Sequence, residues 1–143
     1  MTPIRGSSRR EVRIGASAEE IWAVLGDPAR LAEWYPGIAA CTVEGDIRTV
    51  TTRSGITLPE QIVTLDPLQH RFQYRIVAPF FTEHLATVDV IDLGDGSCLT
   101  VYAVDANPSM MALVLGGAGA KGLSNLRDLL EGRHTRNPTE GVS

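Results

Sequence analysis

Six segments of strand length follow one another between residues 38 and 104, and each ends at a turn signal. The turns contain glycine, proline or aspartate and are short, which favours an antiparallel meander. An alternating segment at residues 10–14 adds a seventh strand. The six predicted strands after it span residues 38–44, 47–53, 60–65, 71–77, 84–91 and 98–104. The sequence therefore predicts an α+β domain built on a seven-stranded antiparallel sheet.

Three helical segments complete the predicted fold. Ser17 and Glu20 form a capping box that opens a first short helix, and Asp27 can cap a second. The last segment, residues 109–130, has apolar residues at spacings of three and four and ends before Gly132. Its predicted apolar stripe consists of Met110, Leu113, Val114, Ala118, Leu123, Leu126, Leu129 and Leu130. This long helix must cover the sheet, and a bent sheet around one helix leaves an internal space.

The chain is 143 residues long, which is the size of one domain. We expect a flexible leader at residues 1–8, a single domain at residues 9–132 and a disordered tail at residues 133–143. The net charge is −4 and the basic residues are scattered, whereas a nucleic-acid-binding protein would need a basic stripe. The apolar run at residues 110–115 is too short to span a bilayer, and no signal sequence is evident. We expect a cytoplasmic monomer or homodimer.

Several function classes are disfavoured by the motifs that the sequence lacks. Cys41 and Cys98 are isolated, so we expect buried small side chains in a reducing compartment, with a disulfide as the alternative. No nucleophile motif, phosphate loop, dinucleotide fingerprint or metal-ligand spacing occurs. These absences argue against hydrolase, kinase, dehydrogenase and zinc-dependent functions, and we expect neither a metal nor a cofactor.

Alternation along each strand predicts which side chains face the helix. In residues 71–77 the apolar and aromatic positions alternate with polar ones, and residues 84–91 show the same pattern. The pattern selects Phe72, Tyr74, Ile76, His84, Ala86, Val88 and Val90, and our preferred inward set in the strand at residues 47–53 is Arg48, Val50 and Thr52. Arg48 is expected to form a structural salt bridge.

The order of elements, together with five phrases, resembles a known superfamily. The phrases are AEEIWAVLGD (18–27), WYP (34–36), RTV (48–50), EQIVTLDP (60–67) and YRIV (74–77). They resemble the SRPBCC superfamily and, more narrowly, the polyketide cyclase/dehydrase branch of the START and birch-pollen-allergen helix-grip fold. The resemblance implies a seven-stranded curved antiparallel sheet around a long C-terminal helix, with two short helices after the first strand. It does not imply one reaction, because members include lipid carriers, hormone receptors and aromatase/cyclases.

The resemblance also adds Thr100, Tyr102, Val104, Glu60 and Ile62 to the inward set. The resulting lining is mostly apolar with a few polar groups, which is the usual composition of a small-molecule pocket. The predicted ligand contacts are Trp34, Tyr35, Val50, Ile62, Phe72, Tyr74, Ile76, Phe80, Phe81, His84, Val88, Thr100, Tyr102, Val114 and Ala118.

Four polar residues are catalytic candidates, and each has a structural alternative. Glu60 or His84 would serve as the base, and Tyr74 or Tyr102 as the acid or oxyanion donor. The tyrosines are also typical core aromatics with satisfied hydroxyls. Glu60 can equally be solvated, but burial would raise its pKa. His84 follows Glu83, so a surface ion pair is its alternative.

Two loops, at residues 54–59 and 78–83, are predicted to gate access to the cavity. The second loop presents Phe80 and Phe81, whose alternative role is to cap the edge of the sheet. Four glycines at residues 116–122 predict either a yielding wall beside the ligand or close packing of the helix on the sheet.

These features predict a carrier or sensor that binds an apolar small molecule such as a lipid, a polyketide or an aromatic compound. One alternative is a cyclase or dehydratase that acts on a similar molecule with acid and base groups in the cavity. The other is a protein-interaction module whose gate loop closes when the ligand binds.

Overall fold

The computed structural model describes the backbone of residues 4–140 and the side chains of residues 4–133. Within these residues the chain forms a seven-stranded antiparallel sheet, two short helices and a long C-terminal helix. The strands are β1 (Gly6–Ile14), β2 (Ile38–Glu44), β3 (Ile47–Thr52), β4 (Thr57–Asp66), β5 (Arg71–Ile76), β6 (Glu83–Asp92) and β7 (Cys98–Asn107). The helices are α1 (Ala18–Leu25), a 3₁₀ helix (Pro28–Glu33) and α2 (Met110–Glu140). The predicted helix-grip fold is confirmed.

The sheet has the order β1-β7-β6-β5-β4-β3-β2, so the first strand joins the last one. The pairing register shifts between Ile38 and Ala40 in β2 and between Ile62 and Thr64 in β4. A bulge of this kind bends a strand and increases its twist. These irregularities help the sheet to curve around α2, which lies over β1 and β7.

The two short helices begin where the sequence predicted. The hydroxyl of Ser17 accepts a hydrogen bond from the backbone N–H of Glu20 at 3.2 Å. The carboxylate of Asp27 accepts one from the N–H of Ala29 at 3.0 Å and so caps the 3₁₀ helix. Each cap satisfies a backbone donor that the first turn of the helix leaves unpaired, and so stabilises the start of that helix.

The buried face of α2 differs from the predicted stripe in its first turns. The residues that face the sheet follow a spacing of four and three: Ala112, Gly116, Gly119, Leu123, Leu126 and Leu130. Met110, Leu113 and Val114 are exposed instead, so the placement of Val114 in the cavity was wrong. The helix turns its glycine positions toward the sheet because the two lie very close there: a β-carbon on Gly119 would overlap the ring of Tyr102. The glycines therefore permit close packing, which was the second of the two interpretations.

Three predicted boundaries also shift. β1 begins at Gly6, so residues 6–8, expected in a flexible leader, pair with residues 104–106 of β7. β4 begins at Thr57, which reduces the first predicted gate loop to residues 54–56. The backbone of α2 continues through Gly132 to Glu140, into the segment expected to be a disordered tail. The outermost residues of the leader and tail, 1–3 and 141–143, lie outside the described residues.

Candidate ligand-binding site

A cavity of about 310 Å³ lies between the concave face of the sheet and α2. Strands β3, β4, β5 and β7 form its floor, α2 covers it, and the turn after the 3₁₀ helix closes one side. Its apolar lining consists of Leu31, Pro36, Gly37, Ile38, Val50, Leu58, Ile76, Leu115 and Ala118. Its polar lining consists of Tyr35, Thr52, Glu60, Tyr74 and Tyr102. The volume falls at the lower end of the range for small-molecule sites.

A buried ion pair includes one of the polar lining residues, Glu60. Arg48 and Glu60 are cross-strand neighbours on β3 and β4, with 1% and 5% of their surfaces exposed. Nε of Arg48 donates to Oε1 of Glu60 at 2.7 Å, and Nη2 lies 2.6 Å from the same oxygen. Nη1 donates to the carbonyl of Pro28 at 3.1 Å, and the guanidinium carbon lies 4.5 Å from the ring centroid of Tyr74. Arg48 is thus enclosed on all sides.

The ion pair occupies only one of the two carboxylate oxygens of Glu60. Glu60 lines the cavity, and no described residue donates a hydrogen bond to its Oε2. Burial raises the pKa of Glu60 above its usual range, and the positive charge of Arg48 opposes that rise. Since a guanidinium keeps its proton and a buried charge requires a counter-charge, the carboxylate beside Arg48 is ionised at neutral pH.

All three tyrosines of the chain line this cavity. The hydroxyls of Tyr74 and Tyr102 lie 2.7 Å apart, and the rings of Tyr102 and Tyr35 are in contact, with centroids 6.0 Å apart. Tyr35 donates to the carbonyl of Leu115 in α2 at 3.4 Å. Burial raises the pKa of Tyr35 to about 12 and those of Tyr74 and Tyr102 well above their usual range. The hydroxyls are therefore protonated at neutral pH.

His84 faces inward, as the pattern predicted, but it does not line the cavity. Its Nδ1 accepts a hydrogen bond from the backbone N–H of Ile76 at 2.9 Å, and its Nε2 has no partner among the described residues. Burial, and secondarily the charge of Arg75, lowers the pKa of His84 to about 4. The alternative ion pair with Glu83 does not form, because Glu83 accepts from Arg5. This geometry gives His84 a structural role as a neutral acceptor.

The buried His84 makes stability depend on pH. The unfolded chain takes up a proton below a pKa of about 6.5, whereas folded His84 does so only near 4. This contribution to the free energy of unfolding is complete above pH 6.5 and falls by about 3 kcal/mol as the pH drops to 4. His84→Asn retains an acceptor for the N–H of Ile76 and does not titrate. Urea denaturation at several pH values between 4 and 7 measures the free energy of unfolding of both proteins. This free energy should fall less with decreasing pH in the variant than in wild type, and an equal fall would contradict the assignment.

The family of the protein is indicated by a match that covers most of the chain. The family described as polyketide cyclase / dehydrase and lipid transport matches residues 5–131. The chain belongs to this family. Comparison with curated proteins finds no sequence match.

Solved structures support the fold of this family member. An uncharacterised protein from Bacillus thuringiensis superposes with a TM-score of 0.79 at 21% identity, over 87% of this chain and 98% of its own. Norcoclaurine synthase from Thalictrum flavum, in complex with a transition-state analogue, gives a TM-score of 0.72 at 19% identity, over 93% of this chain and 99% of the synthase chain. A START superfamily protein from Mycobacterium smegmatis gives 0.67 at 19% identity, over 89% and 95%. At these identities the likeness establishes the fold alone.

The structure brings together about half of the predicted site residues of this family member. Those that line the cavity are Tyr35, Val50, Glu60, Tyr74, Ile76, Tyr102 and Ala118. Those that are buried in the core without lining it are Trp34, Phe72, His84, Val88 and Thr100. Ile62 is half-buried against the core. Thr100 has a structural partner, since its hydroxyl donates to the carbonyl of Val12 at 2.6 Å.

The predicted aromatic gate lies apart from the cavity. Phe80 is 60% exposed, and Phe81 is half-buried in a surface groove formed with residues 75–79. Neither residue lines the cavity, so the prediction that they cover its mouth was wrong. The rings contact each other edge to face at a centroid distance of 5.4 Å. The two rings pack against each other, and Phe81 also packs against His84. These contacts explain the aromatic pair at residues 80–81, and no gate function is needed.

Several lining residues were missed by the sequence analysis. Pro36, Gly37 and Ile38 were assigned only to a turn and a strand start, and Leu58 to a gate loop. The aromatic pair at residues 34–35 was the one signal for this side of the cavity. Leu115 was missed because the predicted helical stripe had the wrong phase. These residues line the cavity because elements that are distant in the sequence pack together. The spacing of residues along one helix or strand does not indicate such contacts.

The described residues contain neither a metal site nor a membrane-spanning helix. No group of three or more His, Cys, Asp or Glu side chains in that part of the chain is arranged to hold a metal ion. Among the described residues there is no helix long and apolar enough to cross a membrane. Cys41 and Cys98 are both free thiols, Cys98 buried and Cys41 half-buried.

Proposed function

We propose that the protein binds an apolar small molecule in the cavity between the sheet and α2, as a carrier or a sensor. One observation supports this most directly: apolar residues form most of the lining of an internal space of about 310 Å³, with a few polar groups among them. Burial of apolar surface in such a space is favourable by about 25 cal/mol per Å². The polar groups of the lining then orient the ligand, as in other small-molecule sites.

The packing of α2 supports a cavity rather than a loosely filled core. The helix approaches the sheet closely where Gly116 and Gly119 face Ser8 and Tyr102, and large leucines fill the space further along. Between these contacts and the turn at residues 35–38, side chains leave the space open. The family description includes lipid transport, which agrees with a ligand carried out of water.

Calorimetric titration with naphthol tests this proposal. Naphthol is apolar, compact and carries one hydroxyl, so it suits a small and mostly apolar cavity with a few polar groups. We expect saturable binding to one site with a negative change in heat capacity, the mark of apolar burial. Decanol serves as a second probe of different shape. The absence of saturable binding for both probes would contradict the proposal.

A second candidate function is supported by the polar groups themselves. Glu60, Tyr74 and Tyr102 line the same cavity, and Oε2 of Glu60 has no donor among the described residues, so a base and a hydroxyl donor are available together. A cyclase or dehydratase needs such groups within about 3 Å of the reacting proton and oxygen. Loss of water from a thioester-linked poly-β-ketone, detected by mass and abolished in Glu60→Gln, would support this function over simple binding.

A further inference from the structure

The polar groups of the cavity differ in how far their hydrogen-bonding capacity is already used within the protein. Tyr35 already donates to the carbonyl of Leu115, and the hydroxyls of Tyr74 and Tyr102 are bonded to each other. The bond between Tyr74 and Tyr102 uses one of their two hydroxyl protons. Oε2 of Glu60 remains without a donor among the described residues. A complementary ligand therefore brings a donor.

The charges around Glu60 already cancel. Arg48 and Glu60 carry one positive and one negative charge, and both are buried. A ligand carboxylate would add an unpaired negative charge close to Oε2, and a buried unpaired charge is costly. A ligand cation would be attracted to Oε2 but would lie close to the guanidinium. The arrangement favours a neutral ligand.

We propose that the cavity selects a neutral apolar molecule with a hydroxyl group, which donates its hydrogen bond to Oε2 of Glu60. The proposal rests on the function proposed above and specifies its ligand class: an alcohol or phenol rather than a fatty acid or another carboxylate. Glu60 is then the residue that determines specificity, and Arg48 is a positioning residue that holds its other oxygen.

Three probes with the same ring system test the proposal on the wild-type protein. Naphthol carries the donor, methoxynaphthalene has no donor, and naphthoate carries a negative charge. Because hydrogen bonds to charged groups are the stronger ones, we expect naphthol to bind about tenfold or more tighter than either of the others. Equal affinity for methoxynaphthalene, or tighter binding of naphthoate, would overturn the proposal and leave the proposed binding function intact. Absence of binding by all three would count against the proposed function itself and, with it, this inference.

A paired substitution assigns the selectivity to Glu60. Glu60→Leu alone would leave Arg48 buried without a counter-charge, so it is combined with Arg48→Met. This double variant should bind naphthol and methoxynaphthalene with affinities within about threefold of each other, since the acceptor is gone. The matched control is Arg71→Met with Asp89→Leu, which removes a more exposed cross-strand ion pair outside the cavity and should keep the wild-type preference. A tenfold preference retained by the Arg48/Glu60 double variant would overturn the assignment.

Discussion

Replacement of Arg48 by methionine is expected to lower the free energy of unfolding by about 3–5 kcal/mol at neutral pH. The substitution leaves Glu60 buried at 5% exposure without the guanidinium that lies 2.7 Å away. Desolvation then raises the pKa of Glu60 with nothing to oppose it. Because protonation removes the unpaired charge, the deficit relative to wild type should shrink as the pH falls. Urea denaturation at several pH values measures both effects.

Two control proteins separate the ion pair from other effects of the substitution. Arg48→Met combined with Glu60→Leu removes both charges, and its stability should return close to that of wild type, because buried ion pairs are often replaceable by apolar side chains. Arg71→Met disrupts a more exposed pair with Asp89 and should cost at most about 1 kcal/mol. If Arg48→Met is as stable as Arg71→Met or more stable, Arg48 is not needed to stabilise the buried charge of Glu60.

Replacement of Ala118 by phenylalanine is expected to reduce the affinity for naphthol by about 100-fold or more. Ala118 lines the cavity from α2, opposite the strands that form the floor. A benzyl group at this position would occupy much of a space of about 310 Å³ that the ligand needs. Calorimetric titration measures the loss, and far-ultraviolet circular dichroism checks that the helix and sheet are retained.

Leu113→Phe is the matched control for this variant. Leu113 lies on the same helix, but 69% of its surface is exposed and it does not line the cavity. We expect this variant to bind naphthol as wild type does, within about twofold. An equal loss of affinity in both variants would indicate that the helix was disturbed rather than that the cavity was filled. Unchanged affinity in Ala118→Phe would place the ligand elsewhere.

The strands and their inward faces could be predicted because their signal is local. Alternation with a period of two placed Phe72, Tyr74 and Ile76 on the buried face, and the structure agrees. The resemblance to known helix-grip proteins added Glu60 and Tyr102, which pattern alone left open. Both line the cavity, Glu60 on β4 and Tyr102 on β7.

The details that define the site depend on contacts between distant elements. Arg48 was expected to form a salt bridge, but its partner follows from the register of β3 against β4, which places Glu60 opposite. The phase of α2 was wrong because periodicity weights large apolar residues, whereas Gly116 and Gly119 face the sheet. His84 was assigned correctly to the inner face. His84 accepts a hydrogen bond from the backbone N–H of Ile76, so it is not a candidate for a base in the cavity. No local sequence pattern could indicate this hydrogen bond.

A methyl-resolved NMR titration with naphthol tests the central claim, that the cavity is the ligand site. Binding there should shift the methyl signals of Val50, Leu58, Ile76 and Leu115, which line the space. The methyl groups of Ile91, Leu99 and Val101, on the opposite face of the sheet, serve as internal controls and should not move. Saturable shifts confined to the first set are the predicted result. Shifts confined to the second set, or the absence of shifts in the first set at saturating naphthol, would contradict the account.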